Sequence, residues 1–95
     1  MSIFDNIAKS IIKEQELIIG PVAWYEAKKV IGLNIINQIS GEVTVENGGR
    51  GSSVIDNLVG QYEHLFGRAS REVCKDAAAA LIADLLPSEI PSSLK

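Results

Sequence analysis

The sequence predicts a mainly helical single domain with one small β-hairpin, in the order α-α-β-β-α-α. Four segments place apolar residues at steps of three and four, and one central segment changes to a step of two. Gly or Pro stands at most of the boundaries between these segments. With 95 residues, 46% of them hydrophobic and 22% charged, the chain has the length and composition of one folded domain.

The first two helices are predicted on either side of a break at Gly20-Pro21. Ser2 and Asp5 have the spacing of a capping box, and helix 1 should run from about residue 3 to residue 17. Helix 2 should run from Pro21 to about residue 31, where Gly32 closes it. The pattern is equally compatible with one helix kinked at Pro21.

Residues 33–46 predict two short strands, because five apolar residues fall on odd positions: Leu33, Ile35, Ile39, Val43 and Val45. A three-residue loop, Ser40 to Glu42, would pair Ile39 with Val43 and keep one apolar face continuous, so we favour it over a two-residue Ser40-Gly41 turn. The competing interpretation continues helix 2 through residues 34–40, since Ile31, Ile35 and Ile39 are spaced by four. Gly32 and two asparagines argue against that helix.

Helices 3 and 4 are predicted in the second half of the chain. Ser53 should cap helix 3, which ends at Gly67, and Ser70 should cap helix 4, which extends from about residue 71 to residue 86 before Pro87. We expect the two helices to form a hairpin through two apolar stripes. They are Ile55, Leu58, Val59, Tyr62, Leu65 and Phe66 on helix 3 and Val73, Cys74, Ala77, Ala80, Leu81 and Leu85 on helix 4.

The predicted domain spans residues 1–87, and residues 88–95 look like a tail with Ile90 and Leu94 as possible anchors. Within the domain, residues 47–53 form a turn-rich segment with three glycines, which predicts a mobile loop between the two halves.

Composition excludes several classes of function. Twelve acidic against nine basic residues give a net charge of −3, which does not favour a nucleic-acid partner. One cysteine, Cys74, and one histidine, His64, cannot build a disulfide framework or the usual zinc centres, so we expect no cofactor and no metal. The sequence shows no signal peptide and no membrane span, and we expect a cytoplasmic protein.

An enzyme is not favoured, because no acid, base and nucleophile can be grouped into a catalytic set. His64 is expected outside the apolar stripe of helix 3, beside Glu63, without a nucleophile to serve. Cys74 is expected on the inner side of helix 4 as a buried apolar thiol.

The glycine-rich loop before helix 3 suggests one candidate site, for an anion. Amides at a helix N-terminus and a nearby arginine suit a negative ligand, although neither a P-loop nor a dinucleotide-binding motif is present. A linker with Ser53 capping its own helix explains the same residues. The candidate residues are Gly49, Arg50, Gly51, Ser52 and Ser53, with Arg68 as a further cation.

A second candidate is a protein interface. Thirteen Ile, eight Leu and seven Val are many for a chain of this size, and self-association would cover some of them. Ile7 and Ile11 on helix 1 and Trp24 and Tyr25 at the start of helix 2 are the candidate contact residues. Core filling is the competing role for the two aromatic residues.

From the sequence we therefore expect a non-enzymatic interaction or regulatory module. Its expected partner is a second copy of the chain, contacted through helix 1 and the region of Trp24 and Tyr25. The alternative is a small-ligand or anion-binding domain that uses the glycine-rich loop.

Overall fold

The computed structural model describes residues 2–46 and 51–95, and it confirms the mainly helical class, the single hairpin and the predicted order of elements. Most of the predicted glycine-rich loop, residues 47–50, lies outside the described residues. The elements are α1 (Ile3–Ile19), α2 (Val22–Ala27), β1 (Leu33–Asn37), β2 (Glu42–Val45), α3 (Gly51–Phe66) and α4 (Arg68–Ile82). Two 3₁₀ turns follow, Pro87–Glu89 and Ser92–Leu94.

Helix α1 begins with the predicted capping box, and the same acidic residue also binds the hairpin. The Asp5 amide donates to Ser2 Oγ over 3.2 Å, and the Ser2 amide donates to Asp5 Oδ2 over 3.0 Å. The other oxygen, Asp5 Oδ1, accepts from the Val45 amide at 2.6 Å. The carboxylate is buried, so it joins the start of α1 to β2 away from water.

Helices α1 and α2 are separate, so the alternative of one helix kinked at Pro21 does not hold. Gly20 adopts a φ of 77°, which a helix cannot contain, and its amide closes α1 on the Glu16 carbonyl at 2.9 Å. Helix α2 ends at Ala27, four residues before the predicted end. The chain has to turn there, because Val30 is buried and Gly32, with a φ of 89°, leads directly into β1.

The two strands are antiparallel, but the predicted turn is wrong. Ile35, not Ile39, lies opposite Val43, and Asn37 lies opposite Glu42 after a bulge. The turn starts at Asn37 because its side-chain oxygen accepts from the amides of Ile39 and Ser40, at 3.0 and 3.2 Å. Ile39 therefore lies at the tip of the hairpin and is exposed.

Helices α3 and α4 both begin earlier than predicted. Helix α3 starts at Gly51, so Ser53 lies inside the first turn and does not precede the helix. Gly51 is required there, because a β-carbon would come within 2.5 Å of the Phe4 ring. Helix α4 starts at Arg68 after Gly67, and Ser70 is a buried residue of its first turn. It also ends early, at Ile82 instead of residue 86.

The core is formed by α1, α2 and α3 with the inner faces of the hairpin and α4. Ile55, Leu58, Val59 and Tyr62 are buried as predicted, but Leu65 and Phe66 are exposed, Leu65 to 47%. Both residues lie in the last turn of α3, and this turn extends beyond the elements that pack against the rest of the helix. On α4 the fully buried residues are Ser70, Cys74 and Ala78, while Ala80 of the predicted stripe is exposed.

The C-terminal residues pack against α3 and α4. Leu94 is buried, and Asp56 Oδ1 on α3 accepts from the amide and hydroxyl of Ser93 at 2.9 and 2.6 Å. Arg71 Nε on α4 donates to the Ser93 carbonyl at 3.2 Å. These contacts fix the last turn to both helices.

The exposure difference along α3 gives a test by paired truncation. Leu58→Ala should lower the free energy of unfolding by about 2–5 kcal/mol, because it leaves a cavity in the core. Leu65→Ala should cost less than about 1 kcal/mol, because the side chain is half exposed. Chemical denaturation of both variants measures this. Equal losses would contradict the placement of the last turn of α3.

Candidate functional site

The described residues of the predicted anion site lie at opposite ends of α3. Gly49 and Arg50 lie outside the described residues. Gly51 is buried against Phe4, and Ser52 and Ser53 belong to the first turn of α3. Arg68 follows the far end of this 16-residue helix, on the order of 24 Å from Gly51 at the rise of an α-helix. Arg68 is therefore separated from Gly51, Ser52 and Ser53 by the length of α3.

Most of the predicted interface residues belong to the core of their own chain. Ile7 and Ile11 are fully buried, because the stripe of α1 packs against α4, α3 and β2. Trp24 is buried as well, which agrees with core filling, the competing role for this ring. Tyr25 is the exception, with 60% of its surface exposed. Docking through Ile7, Ile11 or Trp24 would require the domain to open.

Two long-range hydrogen bonds bring four helix termini to one end of the molecule. Tyr62 Oη donates to the Ala23 carbonyl at 2.7 Å, which holds the last turns of α3 beside α2. Gln15 Nε2 donates to the Ser70 carbonyl at 3.0 Å, which holds the second half of α1 beside the start of α4. The ends of α1 and α3 and the starts of α2 and α4 therefore lie close together.

Exposed apolar side chains concentrate at this end. Leu17 and Ile18, in the last turn of α1, are 79% and 61% exposed. We call this region the end surface, and it consists of Leu17, Ile18, Val22, Tyr25, Leu65 and Phe66. Single exposed apolar residues are ordinary, but six large ones at one end of a small domain are typical of a contact surface.

Gln15 also contacts the thiol of Cys74. Gln15 Nε2 lies 3.4 Å from Cys74 Sγ, and both side chains are buried between α1 and α4. Burial raises the pKa of the Cys74 thiol to about 11, although the Gln15 contact acts in the opposite direction. The thiol is therefore protonated at neutral pH, which argues against a nucleophilic role.

Sequence reasoning missed Gln15 as a core residue, although a signal for it was present. Position 15 is four residues after Ile11 and three after Ile12, so it continues the buried stripe of α1. A glutamine on that stripe has to find buried partners, and Ser70 and Cys74 provide them.

A second polar cluster lies between α2 and α3. Glu26 accepts from Gln61 Nε2 at 2.8 Å and forms an ion pair with Lys29 at 3.2 Å. The Gln61 hydrogen bond is the main cause that lowers the pKa of the Glu26 carboxyl, with Lys29 adding to it. Lys29 Nζ also lies 4.6 Å from the centre of the Tyr25 ring. Glu26 thus links Gln61 on α3 to Lys29, and Lys29 lies beside Tyr25 of the end surface.

An open groove of about 390 Å³ adjoins this cluster, between the α2–β1 turn and α3. Its polar lining comes from Lys29, Asp56, Asn57 and Gln61. Three of these side chains already have partners within the chain, in Glu26, Ser93 and the Tyr25 ring. In the part of the chain that the structure describes, no three His, Cys, Asp or Glu side chains are grouped to hold a metal ion.

The buried thiol predicts slow chemical labelling. At about pH 8, Cys74 of the native protein should react with an aromatic disulfide reagent at least about 100-fold more slowly than in denaturant, because it is buried and protonated. The absorbance of the released thiolate measures both rates. Rapid stoichiometric labelling of the native protein would contradict the burial of Cys74.

The lowered pKa of Glu26 predicts a loss of stability in acid. Its contribution is fully present above the usual glutamate pKa of 4.5 and is lost as the pH falls through the lowered folded-state pKa. The difference in free energy of unfolding between the parent protein and Glu26→Gln should therefore shrink between about pH 6 and about pH 3. Glu72→Gln, on the exposed side of α4, is the control for the removal of one carboxylate charge. A constant difference for Glu26→Gln would overturn this assignment.

Comparison with known proteins adds no relative to this description. No family model matches the sequence, and the searches of curated proteins and of solved structures found no match. Among the described residues, no helix is both long and apolar enough to cross a membrane.

Proposed function

We propose that this protein is a non-enzymatic interaction module that self-associates through the end surface. The observation that carries the proposal is the exposure of Leu17, Ile18 and Tyr25, each at least 60% exposed on neighbouring helix termini. These residues belong to the region that the sequence singled out, helix 1 and the start of helix 2. The proposed contact lies at the exposed ends of these two helices and not at Ile7, Ile11 and Trp24, because those three side chains are buried.

The physical basis of the proposal is the removal of apolar surface from water. Burial of such surface is worth about 25 cal/mol per Å², and large exposed side chains grouped at one place contribute most. Tyr25 suits a contact residue because its ring is apolar and its hydroxyl is polar. Lys29 holds the ring from one side, which reduces the conformational entropy lost on binding.

The rest of the described chain supports binding over catalysis. Cys74 is buried and protonated, and Tyr62, the buried hydroxyl, is committed to the Ala23 carbonyl. Burial also raises the pKa of Tyr62, so its hydroxyl stays protonated and is a poor general base. Both groups hold helices together, which is the role of a scaffold for a surface.

A double substitution tests the end surface. Leu17→Ser with Ile18→Ser should raise the dissociation constant for self-association at least about 10-fold, because two exposed contact residues lose their apolar surface. Sedimentation equilibrium measures it as a fall of the weight-average mass towards the 10.2 kDa of one chain. Both residues are exposed, so thermal unfolding should change little.

Leu86→Ser is the matched control, because Leu86 is 65% exposed but lies after α4, outside the end surface. It should leave the dissociation constant within about 3-fold of the parent value. A parent protein that stays monomeric to near-millimolar concentration would overturn the proposal. So would an equal effect of the control and the double variant.

A further inference from the structure

The hairpin has one strand edge, that of β1, against which none of the other described elements packs extensively. Its two strands form the whole sheet, with β2 lying between β1 and helix α1. In the part of the chain that the structure describes, β1 makes extensive contact with β2 alone. An uncovered edge exposes backbone groups that can pair with another strand.

The register shows which groups these are. The Glu46 amide donates to the Gly32 carbonyl at 2.8 Å, so these bonded residues flank the pair of Leu33 and Val45. Leu33 and Val45 are thus a non-hydrogen-bonded pair, and so are Ile35 and Val43, two residues further along. The amide and carbonyl of Ile35 consequently point away from β2, along the outer edge of β1.

The opposite edge of the hairpin is closed. The outward amide of Val45 is bound by Asp5 Oδ1, and helix α1 packs along β2. Glu42 and Glu46 add negative charge at the two ends of this strand. A strand approaching β2 would have to displace a buried carboxylate, so β1 offers the accessible edge.

Nothing in the sequence of β1 blocks pairing. Residues 30–41 contain no Asp, Glu, Lys, Arg or Pro, the residues by which proteins usually protect exposed edges. The chain as a whole carries a net charge of −3, so two copies repel each other weakly at long range. The residues of β1 add no charge to this repulsion.

We propose that β1 is a homotypic contact at which a second copy pairs its own β1 in antiparallel orientation. With the two-fold axis at Ile35, each Ile35 donates its amide to the carbonyl of the other, and Asn34 lies opposite Ile36. The two hairpins then form one four-stranded sheet. The occupant is a second copy because the strand supplies the donor and acceptor pattern and the absence of charge that its own edge requires.

This contact is separate from the end surface and does not depend on the proposed function. A pair of five-residue strands buries less than the about 800 Å² per partner of a standard interface, so the contact is weak and dependent on concentration. With both contacts present, each chain has two self-complementary surfaces, and assembly can proceed beyond a dimer.

The test compares two substitutions that add the same charge to the outer face of the hairpin. Ile36→Lys places it on β1, where Ile36 is 57% exposed, and Thr44→Lys places it on β2. Both are made in the Leu17→Ser, Ile18→Ser background, so that the end surface does not contribute. Ile36→Lys should raise the remaining dissociation constant at least about 10-fold, and Thr44→Lys should change it by less than about 3-fold.

Amide hydrogen exchange provides a second measurement that a general loss of stability would not mimic. The Ile35 amide should exchange faster in dilute protein and become protected as the concentration rises, whereas the Asn34 amide, bonded to Thr44, should be protected throughout. Equal effects of the two lysines, or Ile35 exchange that is independent of concentration, would overturn the proposal. If the Leu17→Ser, Ile18→Ser variant is fully monomeric, the β1 contact is overturned, whereas the end surface is still supported.

Discussion

The carboxylate of Asp5 is the constraint on which the arrangement of the first half depends. Oδ2 accepts from the Ser2 amide at the N-terminal cap of α1, and Oδ1 accepts from the Val45 amide of β2 in a bond that is buried. A buried carboxylate with fewer donors would destabilise the fold, so both attachments are needed together. The helix therefore cannot rotate about its axis without losing the hairpin, and β2 is fixed as the covered strand.

The second half is attached to the first by polar bonds inside an apolar core. Gln15 reaches Ser70 and Cys74 across the α1–α4 contact, and Tyr62 reaches Ala23 across the α2–α3 contact. Each bond is made at one register only, because a shift of one helical turn would leave a buried amide or hydroxyl without a partner. Trp24 differs, since its Nε1 has no partner among the described residues and the ring is held by packing alone.

Much of the fold could be predicted from the sequence, because periodicity reports which face of an element is buried. The order of elements and the start of α1 at Ser2 followed from it. Periodicity does not report where the neighbouring elements end, so Leu65 and Phe66 looked like core. The hairpin register was missed for another reason: the Asn37 side chain starts the turn, and the alternation of apolar residues contains no trace of that bond.

The candidate site was less accessible to sequence reasoning. Ile7 and Ile11 have the character of contact residues, but a strong apolar stripe is used first by the chain itself. A partner can contact only the apolar side chains that the core leaves exposed. Which side chains these are depends on the relative lengths of the packed helices. Leu17 and Ile18 are exposed because α1 continues past Gln15 and the helices packed on it.

The bond between Gln15 and the Ser70 carbonyl joins residues 55 positions apart, and this separation bears on how fast the chain folds. The hairpin and the α3–α4 pair involve near neighbours in sequence and can form within microseconds. Docking of α4 on α1 has to close a loop of more than half of the chain, and each doubling of such a loop costs about 0.6 kcal/mol of entropy. The first and last helices are thus expected to meet late, at a rate set by diffusion of the chain and not by helix formation.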